Sequence, residues 1–135
     1  MLTCTRLIER RVRARLRERF GTTLPRFDLM SQLWRYPAGL KMNELSRHLM
    51  VSGGNVTGIV DQLEKEGLVE RAAEPADRRA YRVRLTRAGR KSFGEMARSH
   101  EDWIVELLHG LTRREHAELY RLLAKVKKVT LEAAS

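Results

Sequence analysis

The segment SGGNVTG, residues 52–58, places three glycines among hydroxyl and amide side chains. Apolar residues at i, i+3, i+4 and i+7 run from Val56 to Leu63, so the segment lies at the start of an amphipathic helix. If that stripe faces a core, small outward residues let the helix approach a partner closely, and the N–H groups of its first turn can bind phosphate. The candidate contact residues are Ser52 (also a suitable N-cap), Gly53, Gly54, Asn55, Thr57 and Gly58.

Two other interpretations of this segment are open. Each glycine costs a helix interior about 1 kcal/mol relative to alanine, so the glycines belong to a loop if the helix begins later. A nucleotide site is disfavoured, because the segment lacks both the Gly-Lys-Ser/Thr ending of a phosphate-binding loop and the G-x-G-x-x-G spacing. We therefore predict a helix whose outer face is nearly bare.

Residue types that carry catalysis or bind metals are present but scattered. No serine or cysteine stands in a recognisable nucleophile motif with histidine and a carboxylate. The histidines include no i, i+4 pair of the kind that binds zinc. The single cysteine, Cys4, cannot form an internal disulfide, and we predict an inert thiol. The sequence predicts no catalytic residue, no cofactor and no metal site.

The charge balance points to an anionic partner. The chain has 27 lysines and arginines against 17 acidic residues, a net charge of +10. Most of the basic residues are arginines, whose guanidinium group matches phosphate, so a phosphate-rich partner is favoured over an inert basic surface. No stretch approaches the roughly 18–20 apolar residues of a membrane span, and the Arg-rich N-terminus contains Glu9 and Glu18, unlike a transit peptide. We expect a cytoplasmic protein without membrane contact.

Periodicity and capping signals place the glycine segment in a series of helices. An i+4 apolar stripe predicts a first helix up to Gly21, and Thr23 is the N-cap of a second helix that ends at Pro37. KMNELSRHLM, residues 41–50, predicts a short third helix, and the glycine segment begins the fourth. Two short helices joined by a tight turn are typical of a helix-turn-helix, whose second helix enters the DNA major groove.

The pattern then changes to that of a β-hairpin. Leu68 and Val69 begin an extended segment, and EPADRR, residues 74–79, is rich in turn-forming residues. YRVRL, residues 81–85, alternates strictly between apolar and basic side chains. The sequence predicts a hairpin with a long, basic tip.

Two further helices follow the hairpin. Thr86 can cap a long helix that ends at Gly110, and Thr112 and Glu115 stand at capping-box spacing before a last helix. The apolar stripes of the N-terminal and C-terminal helices have more surface than one small core can cover. We therefore expect them to bury each other across the two-fold axis of a homodimer.

Taken in order, these motifs resemble the MarR family of bacterial winged-helix transcription regulators. The resemblance covers nearly the whole chain, with LPRFDLMSQL, MNELSRHLMVSGGNVTGIVDQLEKEGLVER and above all DRRAYRVRLTRAGR, which is similar to the family's wing signature. It implies a mainly α fold with a small β-hairpin wing in a single domain, residues 1–135. Within it, a winged helix-turn-helix, residues 23–89, is flanked by N- and C-terminal dimerisation helices, residues 1–20 and 90–135.

The resemblance also implies roles for particular residues. Asp77, Arg78 and Arg79 match the wing, and the positions that match the recognition helix are Ser52, Gly53, Gly54, Asn55, Thr57 and Gly58. In the family the wing aspartate orients an arginine and an arginine enters the minor groove; Arg78 and Arg79 are both candidates. The family forms homodimers whose recognition helices occupy successive major grooves.

An effector site is implied between the dimerisation helices and the winged helix, where this chain has Arg26, Met30, Trp34 and His100. Cationic and aromatic groups together suit an aromatic acid or its coenzyme A thioester, although Met30 and Trp34 can equally be core residues. The resulting hypothesis is a sequence-specific regulator of double-stranded DNA, a ligand-responsive repressor at a pseudo-palindromic operator. The alternative is a nonspecific architectural nucleic-acid-binding protein, which would explain the charge but would not require these motifs.

Overall fold

The computed structural model describes residues 2–49, 53–74 and 76–134, and only the backbone of residues 53, 54, 77–79 and 134. This part of the chain contains the six predicted helices and a small antiparallel sheet, so the predicted fold class is confirmed. Two compact units, Met1–His100 and Glu101–Ser135, divide inside the fifth helix. The elements are α1 (Leu2–Phe20), α2 (Leu24–Arg35), β1 (Leu40–Lys41), α3 (Met42–Leu49), α4 (Gly53–Lys65), β2 (Val69–Glu74), β3 (Asp77–Leu85), α5 (Arg87–Leu107) and α6 (Arg113–Ala134).

Local signals begin and end the helices where the sequence predicts. Gly21, with φ of 61°, follows α1 in the left-handed conformation that ends a helix at little cost for glycine. The Thr23 side chain accepts a hydrogen bond of 3.4 Å from a backbone N–H in the first turn of α2. The Thr86 hydroxyl accepts from the Gly89 N–H at 3.0 Å and donates to the Gly67 carbonyl at 2.6 Å. Thr86 therefore caps α5 and ties it to the turn that follows α4.

The sheet is built around β3, which pairs antiparallel with both β1 and β2. The β2–β3 hairpin, hereafter the wing, stays paired as far as Glu74 opposite Asp77. A register shift between Ala73 and Glu74 leaves residues 78–80 of β3 between the two pairings. The predicted tip is longer than the observed one, because pairing resumes beyond the register shift, between Glu74 and Asp77. The two-residue strand β1 was not predicted, since it is too short to show alternation.

The core of the first unit lies where α2, α3 and α4 meet the sheet. The apolar stripe of α4 is at its centre, with Val56, Val60 and Leu63 each 0% exposed. Of the two residues that the sequence left open as core residues, Met30 is buried, whereas Trp34 is 41% exposed. The most deeply buried side chains are Leu16, Leu29, Met30, Leu33, Leu45, Val56, Val60, Leu63, Val69 and Val83.

The second unit consists of the end of α5, a turn and α6. The predicted capping box is confirmed: the Thr112 N–H donates to Glu115 Oε1 at 2.9 Å, and the Glu115 N–H donates to the Thr112 hydroxyl at 3.2 Å. The apolar stripe of α6 is open to solvent in the single chain. Its exposed members include Leu122, Leu123, Val126 and Val129, at 43–60% exposure.

The close packing of α5 on the turn before β2 can be tested by substituting Gly89. A Cβ at Gly89 would overlap the Leu68 carbonyl, whereas a Cβ at Gly94 meets only a Trp34 ring carbon at 3.9 Å. Gly89→Ala should therefore lower the free energy of unfolding by about 1–3 kcal/mol, although alanine favours a helix by about 1 kcal/mol. Gly94→Ala, the matched control, should be neutral or stabilising. Urea denaturation measures both, and equal stability of the two variants would contradict the close packing.

Candidate nucleic-acid interface

The outer face of α4 carries little side-chain bulk. The helix begins at Gly53, so its glycines are helical and the loop interpretation is wrong. Asn55, Thr57 and Gly58 are exposed, with Gly58 opposite the buried stripe and Asn55 and Thr57 on its two flanks. A Cβ at Gly58 would meet nothing within 4 Å, so the fold itself does not require glycine there. Ser52 lies outside the described residues, and Gly53 and Gly54 are described by their backbone alone.

Arg26 fastens the end of α4 to α2. Its Nη1 lies 2.6 Å from a Glu66 carboxylate oxygen and donates to Gln62 Oε1 at 3.4 Å, and its Nε donates to the Thr22 hydroxyl at 3.1 Å. The hydrogen bond from Arg26 holds the pKa of Glu66 below its ordinary value. The Arg26 side chain is 17% exposed. The sequence suggested Arg26 only as an effector contact. In the structure, Arg26 positions the candidate recognition helix.

Arg71, on β2, fastens the other side of α4. Its Nη2 lies 2.5 Å from Asp61 Oδ1, and its Nη1 donates to Glu64, one turn further along α4. The guanidinium carbon also lies 5.3 Å from the centre of the Tyr81 ring on β3. The sequence reasoning missed this residue. The available signal was the i, i+3 pair of carboxylates on α4, which favours a cation beside it.

In the regularly paired part of the wing, the outward arginines form ion pairs with carboxylates of the same sheet. Arg82 Nε lies 2.8 Å from Glu74 Oε2, and Arg84 Nε lies 2.7 Å from Glu70 Oε1, both across the β2–β3 pair. Arg82 also donates to the Gly39 carbonyl at 3.2 Å. The predicted wing residues Asp77, Arg78 and Arg79 lie at the far end of β3, and their side chains are outside the described part of the chain.

Two cavities of the first unit flank Arg26. The larger, about 580 Å³, lies between α1, the start of α2, α3 and α4, and is lined by Arg13, Thr23, Pro25, Arg26, Asp28, Leu49, Asn55, Ile59 and Gln62. Burial raises the pKa of Asp28, an effect that Arg13 opposes and Glu9 reinforces. The smaller, about 140 Å³, is lined by Phe20, Gly21, Thr22, Arg26, Met30, Glu66, Leu68, Ser92 and Met96.

Trp34 and His100 line neither of these cavities and lie at opposite ends of a row of rings. Ring centres are separated by 5.3 Å between Trp34 and Phe93, 5.3 Å between Phe93 and Phe27, and 4.8 Å between Phe27 and His100. Burial lowers the pKa of His100. Neither of these two cavities is thus lined by all four of Arg26, Met30, Trp34 and His100.

The described residues give little support for a metal site, a disulfide or a membrane-spanning helix. Within them, no group of three or more histidines, cysteines or carboxylates is placed to hold a metal ion. Cys4 is exposed and forms no disulfide. No helix in the described ranges is long and apolar enough to cross a membrane.

Comparison with known proteins agrees with this geometry. The model of the MarR family matches residues 22–81. The Bacillus subtilis (strain 168) HTH-type transcriptional regulator YsmB is 28% identical over 109 residues, which cover 80% of this chain and 73% of that protein.

Solved structures extend the similarity over nearly the whole chain. A mutant of Escherichia coli MarR complexed with operator DNA is 30% identical, with a TM-score of 0.79 and coverage of 92% of this chain and 88% of that one. AbsC, a MarR family transcriptional regulator from Streptomyces coelicolor, shares the fold, with a TM-score of 0.83, 22% identity and coverage of 97% and 89%. With a 30% identical relative covered over most of its length, the chain belongs to the MarR family of transcriptional regulators.

Proposed function

We propose that this chain binds double-stranded DNA in a sequence-specific way as a homodimer and acts as a repressor at a pseudo-palindromic operator. The observation that supports the proposal is the contrast between the two sides of α4. Val56, Val60 and Leu63 are completely buried on one side, whereas the first turns carry little side-chain bulk on the outer side. A helix of this shape can enter a major groove until its backbone lies near the bases. Since its partner is the genome, we place the protein in the cytoplasm.

Each contact residue has a chemical part in this interaction. Asn55 and Thr57 supply hydrogen-bonding side chains to base edges or phosphates, and Gly53, Gly54 and Gly58 remove bulk between the helix and the duplex. Ser52 is proposed as the N-cap from its residue type and its place in the sequence. Arg78 and Arg79 reach the minor groove from the wing, oriented by Asp77. The 30% identical E. coli MarR mutant was solved in complex with operator DNA, which supports DNA binding as the function.

The function is tested by separating helix stability from DNA binding at Gly58. Wild type should select a pseudo-palindrome from random DNA and retain at least about a thousandfold preference for it over competitor DNA at physiological salt. Gly58→Leu should leave the fold intact or stabilise it by up to about 1 kcal/mol yet weaken binding to the selected site at least tenfold, roughly 1.4 kcal/mol. Fluorescence anisotropy and urea denaturation measure the two effects.

Ala88→Leu, at an exposed position of α5 outside the contact face, is the matched control and should bind as wild type does. Normal binding by Gly58→Leu would refute the close-approach explanation. Wild type that prefers no sequence would instead support the architectural alternative.

Dimerisation is proposed from the exposed stripe of α6. A second copy would cover this stripe, and a C2 dimer would place two recognition helices about 34–36 Å apart, one turn of DNA. Leu123→Glu should dissociate the dimer, because it places a charge in the apolar contact. Arg121→Glu changes the opposite side of the helix and should remain dimeric. Light scattering at micromolar concentration decides this, and monomeric wild type would contradict the proposal.

The effector is proposed to be an aromatic acid or its coenzyme A thioester. Of the four predicted residues, Arg26 lines the larger cavity, whose volume of about 580 Å³ falls in the usual range for small ligands. Arg13 adds a second cation there, and Ile59 an apolar wall. We place the effector in this cavity, with Met30, Trp34 and His100 outside it.

This placement also supplies a reason for DNA release. Asn55, Ile59 and Gln62 of α4 line the same cavity, and Arg26 holds Glu66 at the end of that helix. A ligand carboxylate beside Arg26 competes with Glu66 for the guanidinium group. Binding would thus loosen α4 from α2, and a ligand that binds this loosened arrangement more tightly lowers the affinity for DNA.

Benzoate, 4-hydroxybenzoate and benzoyl-coenzyme A, titrated into the protein–DNA complex, test the effector. At least one should release DNA, with about 1.4 kcal/mol of differential binding for each tenfold loss of affinity. Arg13→Gln should bind DNA normally but require more ligand for release, whereas Arg11→Gln, which does not line the cavity, should respond as wild type does. If none of the three releases DNA at millimolar concentration, this effector class is excluded while DNA binding stands.

A further inference from the structure

We propose that Arg71 is a positioning residue that sets the angle between α4 and the wing, so that both reach one DNA half-site in register. The proposal rests on the DNA-binding function proposed above and adds a specificity determinant that need not itself contact DNA. It follows from the way one side chain joins three elements.

The first contact is with α4. Two different nitrogens of the Arg71 guanidinium bind Asp61 and Glu64, carboxylates one turn apart on the same helix. A planar fork that holds two acceptors at fixed positions restrains rotation of α4 about its axis as well as its distance from β2. Rotation of α4 would change which of its small residues face the groove.

The second contact is with β3. The Arg71 guanidinium carbon lies over the Tyr81 ring, 5.3 Å from its centre, and Tyr81 lies opposite Ala73 at the last regular pairing before the register shift. This cation–π contact attracts the guanidinium group to β3. Arg71 is therefore held by the wing on one side and by α4 on the other.

The surroundings of Arg71 set it apart from the neighbouring arginines. Its side chain is 26% exposed, and its Nε is buried with no hydrogen-bond partner in the described part of the chain. Its pKa is raised, chiefly by the hydrogen bond to Asp61. Arg84, by contrast, pairs with Glu70 inside the wing and is 46% exposed. Of these two arginines, only Arg71 links the wing to α4.

A lysine at position 71 keeps the charge but cannot form the two-pronged contact. Arg71→Lys should weaken binding to the selected pseudo-palindrome about tenfold, comparable to the loss of one base contact. Binding to random DNA should change by less than about threefold, because nonspecific affinity depends on total charge rather than on register. The ratio of the two affinities is the measured quantity.

Arg84→Lys is the matched control, since it makes the same chemical change in the same strand pair without touching α4. It should leave the ratio unchanged. Glu64→Gln, which removes the negative charge that Arg71 pairs with at this position of α4, should lower the ratio as Arg71→Lys does, and the double variant should be no worse than the more affected single variant. Urea denaturation of every variant shows that binding is compared between folded proteins.

A ratio for Arg71→Lys equal to that of Arg84→Lys would overturn the proposal. So would a loss of specific and random binding by the same factor, because that indicates a smaller folded fraction rather than altered register. Wild type without any sequence preference would be a failure of the proposed function, recognisable before any variant is compared.

Discussion

Three side chains of α4, Val56, Val60 and Leu63, are completely buried, and the rest of the DNA-binding region depends on this contact. Full burial of an aliphatic side chain contributes about 1.5–3 kcal/mol, whereas each glycine costs a helix about 1 kcal/mol. Tertiary packing on one side of α4 therefore outweighs the glycines on the other. The helix can keep a bare outer face only because α2, α3 and β2 hold its inner face.

The arginines divide into those that build the structure and those left for a partner. Arg26 and Arg71 hold α4 from two sides, and Arg82 and Arg84 pair within the wing. Exposed ion pairs contribute only about 0–1 kcal/mol each, so their main effect here is to orient elements rather than to stabilise the fold. Their positive charge is partly neutralised by the carboxylates they bind. A net charge of +10 consequently overstates the charge concentrated at any one surface.

The two compact units differ in how completely they bury their apolar residues. The first has a core of its own, whereas the stripe of α6 in the second remains exposed in the single chain. An amphipathic helix gains most of its stability from packing rather than from propensity. A second copy across a two-fold axis is the partner that the family and the stripe both suggest, and it would bring two recognition helices onto one DNA face.

The sequence by itself determined the local elements. The cap at Thr23, the capping box of Thr112 with Glu115 and the stripe of α4 all arise from residues a few positions apart, whose interactions are encoded by spacing. The alternation of residues 81–85 likewise predicted β3 but not where its pairing ends. The strand β1 and the extent of pairing in the wing depend on contact with another strand, which spacing does not reveal.

Only the tertiary structure decided what the polar side chains near α4 do. Arg26 meets Glu66, and Arg71 meets Asp61, because the packing of α2 and the sheet on α4 brings together residues that local patterns treat separately. The cavity beside Arg26 exists for the same reason, since its lining comes from four helices. Helical spacing specifies which face of a helix is apolar, but the partner of each charge on the other face depends on how whole elements pack against each other.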